Sequence, residues 1–501
     1  MLIYRALVFF MVLILTNNNL FALDYNIKDF GAVPDGETLN TKQIQAAIDQ
    51  AASDGGGRVI IPKGRYLTGS LLLKSMVELH LSKGSIILGS LNINDYYAVS
   101  KTTATYNWKS LILANTSDNI IISGKGVIDG QGGRLALKID SLFYAGVLDS
   151  TLYQLKEKRP MAHARPQILQ FVKCQNIKIT GITIKNSASW VQTYDLCNKV
   201  EISNISVVSV SYWNNDGIDI IDSRNVKITH CNINSSDDGI CLKSYKRRNG
   251  ITAFCDSIYI SECTVRSSAS AVKLGTSSYG GFKNIVIENI KVYDTYRSAL
   301  ALEMWEPGIL ENILVQNIKV SNTGNAIFVR LGQREVYNKL PPGKLRNVVI
   351  KNVKATIPYV QPDINYELRG PAEPFFHNTF PVSITGIPNY RIENLTLENI
   401  KIVYPGRGNP AYANMPINRI SDVPEKIGLY PEFSMFGELP SWGMYIRHVN
   451  GLTIKNMYLK IKEPDYRPAL LFDDVKNLSF ESYKILGDKK LDLIIYHNTK
   501  H

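Results

Sequence analysis

Asn284-Ile285-Val286-Ile287-Glu288-Asn289-Ile290-Lys291-Val292 decides how this chain folds. Apolar and polar residues alternate along it, so it reads as two short strands, each with one buried face. Its opening phrase recurs as Asn119-Ile120-Ile121-Ile122, Asn176-Ile177-Lys178-Ile179, Asn225-Val226-Lys227-Ile228 and Asn312-Ile313-Leu314-Val315. It returns as Asn347-Val348-Val349-Ile350, Asn394-Leu395-Thr396-Leu397 and Asn477-Leu478-Ser479-Phe480, with weaker copies at Lys199-Val200, Ser257-Ile258 and Gly451-Leu452. The closest copies, at positions 177, 200, 226, 258, 285 and 313, are 23, 26, 32, 27 and 28 residues apart. A unit this short cannot bury its apolar face alone, so the copies must stack. The 3.6-residue period of helical repeats is absent. The pattern predicts an all-β chain wound as a single-stranded right-handed parallel β-helix.

Composition agrees with a folded protein. Of 501 residues, 45% are apolar and 20% charged, which excludes a disordered or collagenous chain. Beyond the first two dozen residues no run of about 18 apolar residues occurs, so no membrane-spanning helix is expected there. Lys and Arg outnumber Asp and Glu by 56 to 44, a net charge of +12 that fits nucleic acid or an anionic substrate without choosing between them. Arg5, the apolar run Ala6–Leu15 and Ala22 read as an export signal over residues 1–22, leaving 23–501 as a single β-helix domain in the periplasm or outside the cell.

A short helix is expected near the start, capped by Asn40 or Thr41, with Ile44, Ala47, Ile48 and Ala51 on one face and Gly55-Gly56-Gly57 at its end. It would close the open end of the coil, where strand edges and core are otherwise exposed. The six cysteines form no CxxC pair. Cys174, Cys197 and Cys255 share one position of the repeat, occupied by Ser223 in another copy, and Cys231 and Cys263 share a second. A ladder of buried thiols is expected, though the spacing between coils permits a disulfide. Two long stretches, about 355–392 and 404–447, read as loops on one side of the coil, where function concentrates.

Aligning the third strand of successive copies exposes a column of chemistry. Ile218, Ile240, Val272, Leu300 and Ile327 point inward, which sets Asp216 above Asp238 on the outside with Asp237 beside them. Three carboxylates so close should split their pKa values, leaving an acid beside ionised bases, as hydrolysis of a glycosidic bond requires. A calcium site using Asp219 and Asp222, or a solvated acidic turn, is the plainer alternative. Lys243, Lys273 and Arg330 follow on the same face with Glu303 among them, and Lys246, Arg247 and Arg248 lie in the next loop. They pair with surface acids or bind carboxylates of an acidic polysaccharide. Trp190, Trp213, Tyr279 and Trp305 could stack on sugar rings there.

At these residues the chain resembles glycoside hydrolase family 28, the polygalacturonase family. The likeness runs through Asp29-Phe30-Gly31-Ala32, Gly55-Gly56-Gly57 and Pro62-Lys63-Gly64-Arg65-Tyr66, then Asn214-Asn215-Asp216 and Asp237-Asp238. The resemblance implies Asp237 as general acid, Asp216 and Asp238 activating water, inversion at the anomeric carbon, and neither metal nor cofactor. Asn215, Lys243, Ser270, Lys273, Glu303, Trp305 and Arg330 are the expected substrate-binding residues. Where the family has Gly-His-Gly this chain has Ala269-Ser270-Ala271, and where it has Arg-Ile-Lys this chain has Ala301-Leu302-Glu303. Either Lys273 and Arg330 take over the sugar carboxylate, or the sugar is not galacturonate. His377 and His448 are candidates to replace the missing histidine.

The expected function is an exported inverting hydrolase of pectic polysaccharide or oligosaccharide, galacturonan or rhamnogalacturonan in type, with aromatic-rich loops favouring exo-action. A lyase on the same scaffold and a non-catalytic pectin-binding β-helix remain as alternatives. The expected partner is acidic plant cell-wall polysaccharide, with no nucleic acid, no membrane span and a monomeric chain.

Overall fold

A computed structural model describes residues 23–98, 108–247, 250, 252–362, 378–412, 417–487 and 493–500. The expected export signal, residues 1–22, lies outside them. Each coil contributes three short strands, as in Asn198–Ser203, Ser206–Ser209 and Ile218–Ile221, followed by Arg224–Thr229, Asn232–Ser235 and Ile240–Ser244 one coil later. Strands pair in parallel with their counterparts in the next coil, and the chain is a parallel β-helix. In later coils the strands run on almost unbroken, as in Gly281–Met304 and Ile309–Leu331. No helix among the described residues is long and apolar enough to cross a membrane.

The recurring phrase falls in one column. Ile120, Ile177, Val200, Val226, Ile258, Ile285, Ile313, Val348, Leu395, Leu452 and Leu478 lie in register. Apart from Leu478, 6% exposed, none exposes more than 2% of its surface. Burying one such side chain contributes about 1.5–3 kcal/mol, so the interior column supplies much of the driving force. The asparagines beside it have a separate reason. Asn284, Asn312, Asn347 and Asn394 adopt φ of 54°, 59°, 54° and 53°, the left-handed region that Asn enters more readily than most residues. A second turn carries Asn289, Asn317, Asn352 and Asn399, and the side-chain amides of the last three each donate to the side-chain carbonyl of the asparagine one coil before, at 2.9–3.0 Å.

The expected helix is α1, Thr41–Ser53, with Ile44, Ala47, Ile48 and Ala51 fully buried over the first coils. Asn40 stands at its cap but spends its side chain on the Val33 amide and carbonyl and the Thr38 carbonyl. A second helix, α2, Gly132–Tyr144, has no counterpart in the repeat and was not expected. Gly132 lets it begin, because a Cβ there would sit 1.9 Å from the Ser187 backbone. All six cysteines are free and buried, so the expected thiol ladder is present.

The two long loop stretches are more structured than their composition suggested. The strand Val382–Thr385 interrupts the first and continues the third sheet through Ser383, which pairs with Phe328 and Tyr445. Residues 363–377, including His377, lie outside the described residues. In the second, Val423, Phe433, Met435, Phe436 and Leu439 form a separate apolar cluster on the outer wall of that sheet, against Ala301, Phe328, Tyr445 and Leu471. This stretch is a roof. With six free, buried thiols, a reductant should leave the melting temperature unchanged, and a thiol-reactive chromogenic reagent should find no thiol in the native protein and six after denaturation. A melting temperature lowered by reductant would reveal a disulfide instead.

Candidate active site

The aspartates stand at the entrance of the third sheet. Ile218 pairs with Ile240 and Ile240 with Val272, and the Gly217 amide donates to the Asp238 carbonyl at 2.9 Å. Asp216 and Asp238 are thereby superposed in adjacent coils, with carboxylate oxygens within 4.8 Å of one another. Only glycine permits this approach: a Cβ on Gly217 would lie 2.5 Å from the Gly239 carbonyl oxygen, and one on Gly239 2.6 Å from that of Ala271. Asp237 is half-buried beside them and accepts from the Asp238 amide at 2.9 Å.

Cations balance this charge. The Lys243 ammonium lies 2.9 Å from Asp216, contacts Asp219 and sits 4.4 Å from the centre of the Trp190 ring. Lys273 lies 3.3 Å from Asp238 and 3.8 Å from Glu303. Both lysines and Glu303 are buried. Burial works against the two ammonium groups, but their carboxylate neighbours outweigh it and hold both well above the ordinary lysine range.

The carboxyls split. Burial drives Asp216 well above its ordinary value, against the pull of Lys243. Burial and the adjacent Asp238 charge raise Asp237 as well. Burial alone would raise Asp238, yet Lys273, Lys243 and Arg297, with the Ser270 amide at 3.1 Å, leave it below the ordinary range. Glu303 is pushed up to about 8 by burial, partly offset by Lys273. The site thus holds a carboxylate poised to ionise beside one poised to stay protonated, the arrangement that general acid–base chemistry needs.

Trp190, expected here, and several residues that the repeat does not point to complete the surroundings. Asn214, at φ 60°, accepts from Arg159 at 3.1 Å and Arg165 at 2.8 Å through its amide oxygen, which turns its NH₂ toward Asp237 at 3.5 Å. Two stacked rings, Trp108 and Trp190, 4.7 Å apart, stand on one side. On the other the roof delivers Tyr430, whose phenol accepts from Thr276 at 2.8 Å and from Lys273 at 3.4 Å. Glu432 beside it pairs with the buried Arg297. Arg159, Arg165 and Tyr430 come from segments outside the repeat, where alignment of copies gives no signal.

Several substrate-binding expectations are revised by packing. Asn215 has no exposed surface and spends its amide on Ser209, Ser211, Tyr212 and the carbonyls of Ser187 and Ser189. Arg330 is buried under the roof, donating to Thr385 and to the carbonyls of Gly386, Glu425 and Lys426. Neither is placed to meet a sugar. Ser270 acts through its backbone. Trp305 packs edge-on against Tyr430 at 5.6 Å, and its indole N–H has no partner among the described residues. Arg247 is committed to Asp195 and Asp222, Lys246 remains exposed, and Arg248 lies outside the described residues. His448 belongs to a separate cluster, its ring nitrogens in hydrogen-bond contact with Asp474 at 2.7 Å and Glu425 at 3.1 Å. As for a metal, Asp216, Asp238 and Cys241 bring three ligand-type atoms together, but burial holds the Cys241 thiol well above its ordinary pKa and two ammonium groups already neutralise the aspartates.

A parallel β-helix carrying a cluster of three aspartates on its outer wall, between aromatic flanks, has the architecture of carbohydrate-active β-helix proteins. Residues 55–368 match the profile of glycosyl hydrolases family 28, more than half of the chain, and the protein belongs to that family. A probable polygalacturonase of Vitis vinifera is 31% identical over 281 residues, covering 53% of this chain and 54% of that protein. An exo-poly-alpha-D-galacturonosidase of Dickeya chrysanthemi is 27% identical over 303 residues, covering 53% and 49%. The chain thus spans about half the length of these curated relatives. The fold is shared with an exopolygalacturonase from Thermotoga maritima, at TM-score 0.59 and 23% identity, covering 77% of this chain and 87% of that one.

Replacing Lys273 by Met removes the nearest cation from Asp238. Its pKa should rise by about one unit or more, read by carboxyl carbon shifts in aspartate-labelled protein. An unmoved titration would show that Lys273 does not hold Asp238 ionised.

Proposed function

We propose that the protein is an inverting glycoside hydrolase acting on pectic polysaccharide or its oligosaccharides. One observation carries this reading: Asp216 and Asp238 stand superposed in adjacent coils with carboxylate oxygens within 4.8 Å, Lys273 lies 3.3 Å from Asp238, and half-buried Asp237 sits beside them. Asp237 would protonate the leaving glycosidic oxygen, and Asp238 would deprotonate a water on the opposite face of the sugar that Asp216, superposed one coil away, helps to position. Family membership and the names of the relatives support the substrate class. Such a substrate lies outside cells, which agrees with reading residues 1–22 as an export signal.

The sugar at the cleaved position is argued from charge. Lys243 and Lys273 are already paired with Asp216, Asp219, Asp238 and Glu303, and Arg330 is spent on the roof. The two lysines that face the aspartates are thus both paired, and Glu303 adds a carboxyl. This favours a neutral or modified residue, as in rhamnogalacturonan-type or substituted pectin, over plain galacturonate. The roof reaching Tyr430 closes one side of the site and favours attack from a chain end.

Asp237→Asn should lower turnover by about a thousandfold or more while circular dichroism and melting temperature stay unchanged. A full rate in this variant would remove the assigned acid. The identity of the sugar is decided by incubating the wild type with galacturonan, rhamnogalacturonan and their oligosaccharides and analysing products by NMR, which also reads the anomeric configuration at release.

A further inference from the structure

A second feature lies on the middle sheet, away from the aspartates. In the coils before residue 281 one outward position is neutral: Thr183, Ser206, Asn232 and Thr264 lie in register there. From the next coil the same position becomes Lys291, Lys319, Lys354 and Lys401, then Tyr458 and Lys484. All five lysines are exposed, and no ion pair among the described residues engages them. Adjacent strands are about 4.8 Å apart, so the first four form an unbroken row of like charges.

Such a row is costly. Like charges directly opposite across strands destabilise a sheet. The neighbouring outward column shows what an ordinary solvated wall looks like: Glu288, Gln316, Lys351, Glu398, Lys455 and Glu481 mix the two signs. The lysine column does not mix. It also lines a groove of about 600 Å³ with the asparagine turn, bounded by Lys291, Lys319, Lys354, Asn289, Asn317 and, at one end, Glu262.

We propose that this groove is a second binding site, for a linear polyuronate whose carboxylates lie along the lysine row. The ammonium groups are compact point charges on flexible stems, suited to repeated single carboxylates rather than planar bidentate contacts. The concave surface accommodates a chain better than a flat bilayer. The Lys291 and Lys401 ammonium groups lie over the rings of Tyr293 and Tyr458, 5.9 and 4.9 Å from their centres, at either end of the row. The choice of polyuronate over other polyanions rests on the proposed pectic substrate. A foothold remote from the aspartates would raise the local concentration of polymer at the site without touching the reacting bond.

The test uses the full-length protein with Asp237→Asn, so that polymer is not consumed, with and without Lys319→Glu and Lys354→Glu. Mobility is measured in gels containing de-esterified homogalacturonan, its methyl-esterified form, or double-stranded DNA. Retardation by the de-esterified polymer should weaken about tenfold in the charge-reversed protein and fade with salt. The same two substitutions in the otherwise wild-type enzyme should leave cleavage of short oligosaccharides unchanged. Equal retardation with and without the substitutions, or by the methyl-esterified polymer, would overturn the proposal, and equal retardation by DNA would overturn the polyuronate assignment. If the wild type cleaves no pectin fraction yet the lysine-dependent retardation persists, the groove stands and the hydrolase reading falls.

Discussion

Parallel pairing in register between consecutive coils is the constraint on which everything else depends. It places one branched apolar side chain over the next along the interior, and it fixes the height between Asp216 and Asp238. Interior and site are therefore measured by the same ruler. A slip of one residue would turn the isoleucine column outward and separate the aspartates at once. Gly217 and Gly239 mark where that ruler is tightest, since a side chain at either would force the coils apart.

Gathering carboxylates on a dry wall is tolerable only because cations are buried with them. An unpaired charge in such surroundings costs several kcal/mol. Here Lys243 joins Asp216 to Asp219, Lys273 joins Asp238 to Glu303, and Arg297 joins the roof through Glu432. The same pairing that makes the cluster stable also tips its protonation. Asp238 has Lys273 within 3.3 Å, whereas among the described residues no cation pairs with Asp237, whose side chain meets the amide of Asn214. Function and stability are two readings of one charge distribution.

The fold was legible because periodicity is a local property written many times over. The column from Ile120 to Leu478 and the inward stack from Ile218 to Ile327 follow from alternation and count alone. The three aspartates were legible because they sit at fixed offsets from that stack. What escaped comes from segments without a repeat: helix α2, the arginines that orient Asn214, and Tyr430. Arg330 and Asn215 show the converse error. Alignment puts Arg330 on the outer wall, where it is, but says nothing of a roof that lies over it. Asn215 sits next to Asp216, yet its side chain turns away to bond Ser209 and the carbonyls of Ser187 and Ser189.

The roof has a further consequence. Its apolar underside rests on Phe328, Tyr445 and Leu471, with Ile495 at the margin, while its far edge holds Tyr430 over Lys273. The last coils of the chain are therefore the foundation of a wall of the site, although they contribute no group to it. Fraying of the C-terminal strands would be felt by the lysine that governs Asp238, transmitted by a slab of aromatic side chains.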